Sequence, residues 1–175
     1  MLKIVCAVLL FAAVCSADVV KPCEGVLVDK FLKLPSQWYN ELGSTMTLTS
    51  LDPFKGNFAG KYKSAVGNAG HEYDLVGKFD THGGTLGWIV SYQNKYLNAH
   101  STCTWSGHIE LSPCKDQRPV ILTTWLLTSQ TGNKDDWPST NVGFDTFTEY
   151  PPSQEQIEKA KLRRQFSHPK RAFME

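Results

Sequence analysis

Beyond its first residues this chain has no run approaching the roughly 18 consecutive apolar residues of a membrane-spanning helix, so no membrane anchor is expected. It has no surplus of charge either: 18 Lys and Arg stand against 17 Asp and Glu. A chain so balanced offers no electrostatic footing for nucleic acid. There is no Gly-x-Ser-x-Gly elbow, no His-Glu-x-x-His and no phosphate-binding glycine loop, which removes the signatures that would argue for an enzyme. Metal-ligand spacing is missing as well. His100 and Cys103 fall on opposite faces of a strand, while His100 and His108 share a face but lie about 27 Å apart at roughly 3.4 Å per residue. No internal repeat or low-complexity segment occurs. A non-catalytic protein with no metal and no cofactor is the expectation.

What is present begins with a leader. Met1-Leu2-Lys3, the apolar stretch Ile4 to Val14 and the small Cys15-Ser16-Ala17 have the three regions of a secretory signal, with cleavage expected after Ala17. The protein is therefore expected to be secreted and extracellular. Residues 18–36 form an N-terminal extension, 37–150 one folded unit and 151–175 a flexible tail. Loss of Lys3 with the leader leaves the mature chain neutral. Of the five cysteines, Cys23, Cys103 and Cys114 remain, an odd set in a compartment that favours disulfides.

Eight short strands are expected, at about 37–42, 44–51, 56–63, 72–79, 85–92, 98–111, 120–128 and 141–150. They are punctuated by Gly43, Asp52-Pro53, Asn68-Ala69-Gly70, His82-Gly83-Gly84, Pro113 and Pro119. Even spacing with no helical period between them fits either an antiparallel sandwich or an up-and-down barrel. After Pro151-Pro152 the composition changes. Ser153 to Arg164 is helix-permissive, and its mixed, mostly basic charges read as a solvated tail.

The most informative stretch is Gly87 to Gly107. Side chains on a strand change face at every residue, so Ala99, Ser101, Cys103 and Trp105 share one face. Small polar groups ending at a large indole make a poor packing layer and a good cavity wall. Trp125 shares its face with Ser129 in the same way. Trp38 and Trp88 read as ordinary core. Asn40, Ser44 and Tyr62 point inward by alternation and can each donate a hydrogen bond. Asp145 is a carboxylate in mid-strand, whose buried position calls for a donor partner, a structural amide or hydroxyl being the ordinary one. Trp137, in the polar loop Asn133 to Pro138, would be exposed in a monomer and calls for cover from another subunit.

This run, together with Trp38-Tyr39-Asn40-Glu41-Leu42-Gly43-Ser44-Thr45, Gly60 to Ala69, Thr124 to Ser129 and Gly143 to Thr148, closely resembles the avidin and streptavidin family of biotin-binding proteins. The resemblance is collinear from Gln37 to Tyr150. It implies an all-β fold, an eight-stranded antiparallel up-and-down barrel, and high-affinity binding of biotin as a ligand. It also implies a site in which Asn40, Ser44 and Tyr62 donate to the ureido oxygen, and Ser64 and Asp145 accept from the ureido N–H groups. Asn68 and Ser101 meet the valerate carboxylate. Leu42, Val66, Leu127, Tyr92, Trp105 and Trp125 enclose the rings. Tyr92 stands where streptavidin has Trp, and Cys103 where it has a Thr that touches the ligand's sulfur. The family further implies a homotetramer in which Trp137 closes a neighbour's site. It also points to a Cys23–Cys114 disulfide, with Cys103 left inside the cavity. Two other readings stand beside this one: an avidin-like barrel for a different small cyclic urea or heterocycle, and a lipocalin-like carrier of long apolar ligands.

Overall fold

The computed structural model of the protein describes residues 34–67, 70–94, 99–111, 118–132 and 139–167. Eight strands follow in chain order: β1 Ser36–Asn40, β2 Thr45–Asp52, β3 Asn57–Lys63, β4 Glu72–Phe79, β5 Thr85–Asn94, β6 Ala99–Leu111, β7 Pro119–Ser129 and β8 Thr140–Thr148. Each pairs antiparallel with the next and β8 returns to β1, so the sheet closes into an up-and-down barrel. Closure leaves no sheet edge to be protected.

The first and last strands end earlier than the sequence pattern predicts, for local reasons. At β1 the Asn40 amide oxygen accepts from the backbone N–H groups of Leu42 (3.1 Å) and Ser44 (2.8 Å), and Gly43 adopts a φ of 86°. A side-chain-capped turn with a left-handed residue outcompetes two more residues of strand. At β8 the Thr148 hydroxyl donates to the Tyr150 carbonyl at 2.8 Å just ahead of two prolines, which cannot extend a ladder. The short β1 makes the β1–β8 seam narrow, registered only at Tyr39↔Thr148 and Asn40↔Phe147. The next donor along β8, Thr146 N–H, is taken at 2.9 Å by the Glu41 carboxylate, which extends the seam with a side chain.

Inside the barrel, side chains sort along the axis. One end is filled by Trp38, Met46, Leu48, Phe58, Leu75, Leu86, Ile109, Ile121 and Phe147, all buried. Trp88 belongs to this plug, packed edge-on to Phe147 at 5.4 Å and to Phe58 at 6.4 Å. Trp38 and Trp88 are thus core, as expected. The other end is hollow. On the outer wall, the registers Val76↔Ile89↔Thr104↔Leu126↔Val142 join adjacent strands into one band. Val76, Ile89, Leu126, Val142 and the nearby Phe144 are all exposed, the last at 71%.

Beyond β8 the chain forms a helix, α1 Gln154–Ser167. Its start is a capping box: Gln156 N–H donates to Ser153 Oγ at 3.3 Å, and Ser153 N–H donates to Gln156 Oε1 at 2.7 Å. Lys159–Glu155 and Lys161–Glu158 pairs support its exposed face. Among the described residues no helix is long and apolar enough to cross a membrane.

Gly143 sets the wall of the hollow end. It pairs with Trp125, and a Cβ placed on it would lie 2.3 Å from Trp125 Cζ2. The indole therefore lies against a bare Cα. Gly143→Ala is expected to push the ring off this seat and to lower stability by about 1–3 kcal/mol. Urea unfolding followed by tryptophan emission checks this, and an unchanged midpoint would contradict it.

Candidate functional site

The hollow end holds a cavity of about 790 Å³. Strand periodicity builds it: alternate residues of β6 (Ser101, Cys103, Trp105), β7 (Trp125, Leu127, Ser129), β3 (Tyr62) and β8 (Asp145) face inward, joined by Asn40, Leu42 and Ser44 around the first turn. Tyr92 enters from β5, and Ser64 and Val66 from the segment after β3. The structure thus gathers every expected site residue around one cavity except Asn68 and Trp137. Those two lie outside the described residues, as do Cys23, Cys114 and the leader.

At the base, polar groups are buried and already oriented. Asp145, 4% exposed, accepts from the Trp105 indole N–H at 2.9 Å. The Trp105 indole, a donor the sequence did not point to, therefore both lines the cavity and aims the carboxylate. The Thr123 hydroxyl donates to the Asp145 carbonyl at 3.0 Å and fixes the backbone beneath. The Asn40 oxygen is engaged by two backbone N–H groups, so its amide nitrogen is the end left to donate into the cavity. Ser44 Oγ accepts from Ala65 N–H at 3.1 Å and lies beside the Tyr62 hydroxyl. Ser64 Oγ donates to the Val66 carbonyl at 2.7 Å, which folds the segment over the rim.

Aromatic rings frame this base. Tyr62 lies 5.0 Å from Trp105 and 6.5 Å from Tyr92 between ring centres, and Trp105 stacks on Trp88 at 5.5 Å with planes 13° apart. Burial raises the Tyr62 hydroxyl well above its usual range, with the Asp145 carboxylate adding to the effect. Tyr92 is raised by burial first and then by Cys103 and Asp145. Both stay neutral hydroxyls able to donate. Burial pushes the Cys103 thiol up to about 12, again with help from Asp145. Cys103 is a free, buried thiol. A neutral donor set facing one carboxylate can bind a small polar heterocycle, and it contains no activated nucleophile. Among the described residues no group of three or more His, Cys, Asp or Glu could hold a metal ion.

Several lining residues were not foreseen. Ser129 carried a signal, since it shares the Trp125 face. His100 faces outward by alternation but reaches the rim because β6 starts there, with its carbonyl accepting from Gln130 N–H at 2.8 Å. Gly67, Gln130, Thr131 and Gly132 also line the mouth, and as loop residues they have no period to betray them.

A model of the Avidin family matches residues 28–150. The chain is 31% identical to Avidin of Gallus gallus over 119 residues, covering 66% of this chain and 76% of that protein. It is 33% identical to Afifavidin of Afifella pfennigii over 118 residues, 65% of this chain and 67% of that one. To Avidin-related protein 4/5 of Gallus gallus it is 30% identical over 126 residues, 66% and 76% respectively.

The Cys103 environment yields a prediction with a definite sign. A thiol raised to about 12 is about 0.01% thiolate at pH 8, so iodoacetamide is expected to label folded Cys103 at least about a hundredfold more slowly than the unfolded chain. The stability tied to the neutral thiol is complete below about pH 9, where an unfolded cysteine ionises, and is lost as pH climbs toward 12. Site-mapped alkylation by mass spectrometry checks the rate, and equal labelling of folded and unfolded chains contradicts it.

Proposed function

The chain belongs to the avidin family, and from that premise we propose that it is a secreted, non-catalytic protein that binds biotin with high affinity. The observation that carries this reading is the polar base of the cavity. Asn40, Ser44 and Tyr62 supply three donors for one carbonyl oxygen, and Asp145 and Ser64 supply acceptors for two flanking N–H groups. A cyclic urea needs that pattern. Preoriented donors in a site shielded from water bind a polarised oxygen far better than the same groups in solvent. Tyr92, Trp105, Trp125, Leu42, Val66 and Leu127 would enclose the bicyclic rings, Cys103 would sit beside the thioether, and Ser101 with Asn68 would meet the carboxylate. A carrier of long apolar ligands would need an apolar base, which Asn40, Ser44 and Asp145 do not provide.

The same reading takes the protein to be a homotetramer. The exposed band from Val76 through Ile89 and Leu126 to Val142 and Phe144 supports assembly, since a contiguous apolar face of this kind is normally covered by a partner. Trp137 would then cap a neighbour's cavity, and a Cys23–Cys114 disulfide would tie the N-terminal extension to the segment after β6.

Biotin is expected to bind one per chain and to raise the melting temperature strongly. A ligand that binds only the folded state adds about 4 kcal/mol at a thousand times its Kd. No shift at saturating biotin would end the proposal. Asp145→Ala should speed release far more than Cys103→Thr, because it strips the acceptor from a desolvated N–H, a loss of about 1–3 kcal/mol or more. Release rates of labelled biotin set the order, and the reverse order contradicts the assigned roles.

The shared site is tested in mixed oligomers of wild-type chains with Trp137→Ala/Asp145→Ala chains, whose own pockets are disabled. Wild-type pockets facing such a neighbour should release biotin roughly thirtyfold faster, the consequence of losing about 2 kcal/mol at an interface tryptophan. Release as slow as in the all-wild-type oligomer means that Trp137 does not act across subunits.

A further inference from the structure

Helix α1 does not simply trail from the barrel. Pro151-Pro152 and the Ser153 capping box fix where it starts, and its half-buried Ile157 reaches the β1–β2 turn. Ile157 Cδ1 lies 3.3 Å, and its Cγ1 4.0 Å, from the point where a Cβ on Gly43 would stand, while the Ala65 Cβ is 3.9 Å from that same point. Ile157 and Ala65 therefore converge over the bare Cα of Gly43. Ala160, one turn further on the same helix face, is 8% exposed, whereas Leu162 on another face is 53% exposed.

Both segments under Ile157 belong to the cavity. The turn carries Leu42 and Ser44, and the segment around Ala65 carries Ser64, Val66 and Gly67, all lining it. A hydrogen bond, Ala65 N–H to Ser44 Oγ at 3.1 Å, joins the two. Val66 is bonded to Ser64 within its own segment, and both Ala65 and Val66 are exposed. A lip held by few contacts opens at low cost.

We infer that α1 is a strap across the lip of the cavity, and that Ile157 is a positioning residue that holds Ala65 and Ser44 together and so lengthens the residence of the bound ligand. It touches no ligand itself. The inference rests on the biotin-binding reading for its choice of ligand, but the mechanical coupling is readable without one. A helix of 14 residues is marginal alone in water, so its capping box and the Ile157–Ala160 face act together to keep it docked.

The test uses the full chain in four variants: Ile157→Asp and Ala160→Asp to undock the helix, Ile157→Leu as the conservative rescue, and Leu162→Asp as the exposed-face control. Biotin release from Ile157→Asp and Ala160→Asp is expected to be about three- to tenfold faster than wild type, with the apo melting temperature little changed. Ile157→Leu and Leu162→Asp should release at the wild-type rate. Hydrogen exchange of Ala65 and Val66 amides in the ligand-free protein should rise in the two undocking variants alone. Wild-type release and exchange from both Asp variants overturn the strap, as does equal acceleration by Leu162→Asp. If wild-type protein holds no biotin, the functional reading fails, and the exchange of Ala65 and Val66 still decides whether the strap exists.

Discussion

The hydrogen bond from the Trp105 indole to the Asp145 carboxylate is the contact on which the cavity depends. It reaches from β6 to β8 across the intervening β7, so it braces the wall in a direction that ladder bonds between neighbouring strands cannot. It also settles what a buried carboxylate would otherwise make costly, since such a group needs a donor once water is removed. With Asp145 aimed by Trp105, and Trp105 stacked on Trp88 and tilted against Tyr62, the polar base is continuous with the aromatic plug below it. Floor and site are therefore one packed object.

This arrangement explains why the ionisable groups at the base act as hydrogen-bonding groups and not as reagents. Tyr62, Tyr92 and Cys103 are all shifted upward, in each case by burial first, and the Asp145 carboxylate contributes to every one of the shifts. Burial, with the nearby carboxylate adding to it, holds all three neutral. Neutral hydroxyls can donate, and they form fixed dipoles that need no reorganisation.

Much of this was legible in the sequence because strands carry a period of two. The small-polar face Ser101–Cys103–Trp105 and the inward placement of Asn40, Ser44, Tyr62 and Asp145 follow from alternation alone, and the strand spacing gave all eight strands within about two residues at each end. The choice of a closed barrel over a sandwich did not follow from period. It came from the family resemblance, because closure depends on the long-range seam between β1 and β8. Other features depended on three-dimensional neighbours. The indole partner of Asp145 lies 40 residues away in sequence, the Glu41 carboxylate replaces a ladder bond 105 residues away, and His100 reaches the rim against its outward alternation. Helix α1 was visible only as a permissive stretch; the Ser153–Gln156 capping box marks its start, but its docking on Gly43 depends on a glycine more than a hundred residues earlier.

On the proposed biotin-binding reading, Trp105 and Asp145 recognise the ligand as a unit. A double-mutant cycle on biotin release, using Trp105→Phe, Asp145→Ala and the double variant, measures that coupling directly. Strong non-additivity is expected, with the double variant releasing biotin little faster than Asp145→Ala alone and a coupling energy of about 1 kcal/mol or more. Effects that simply add would mean that the two side chains meet the ligand independently, and the bond between them would then be incidental to the site.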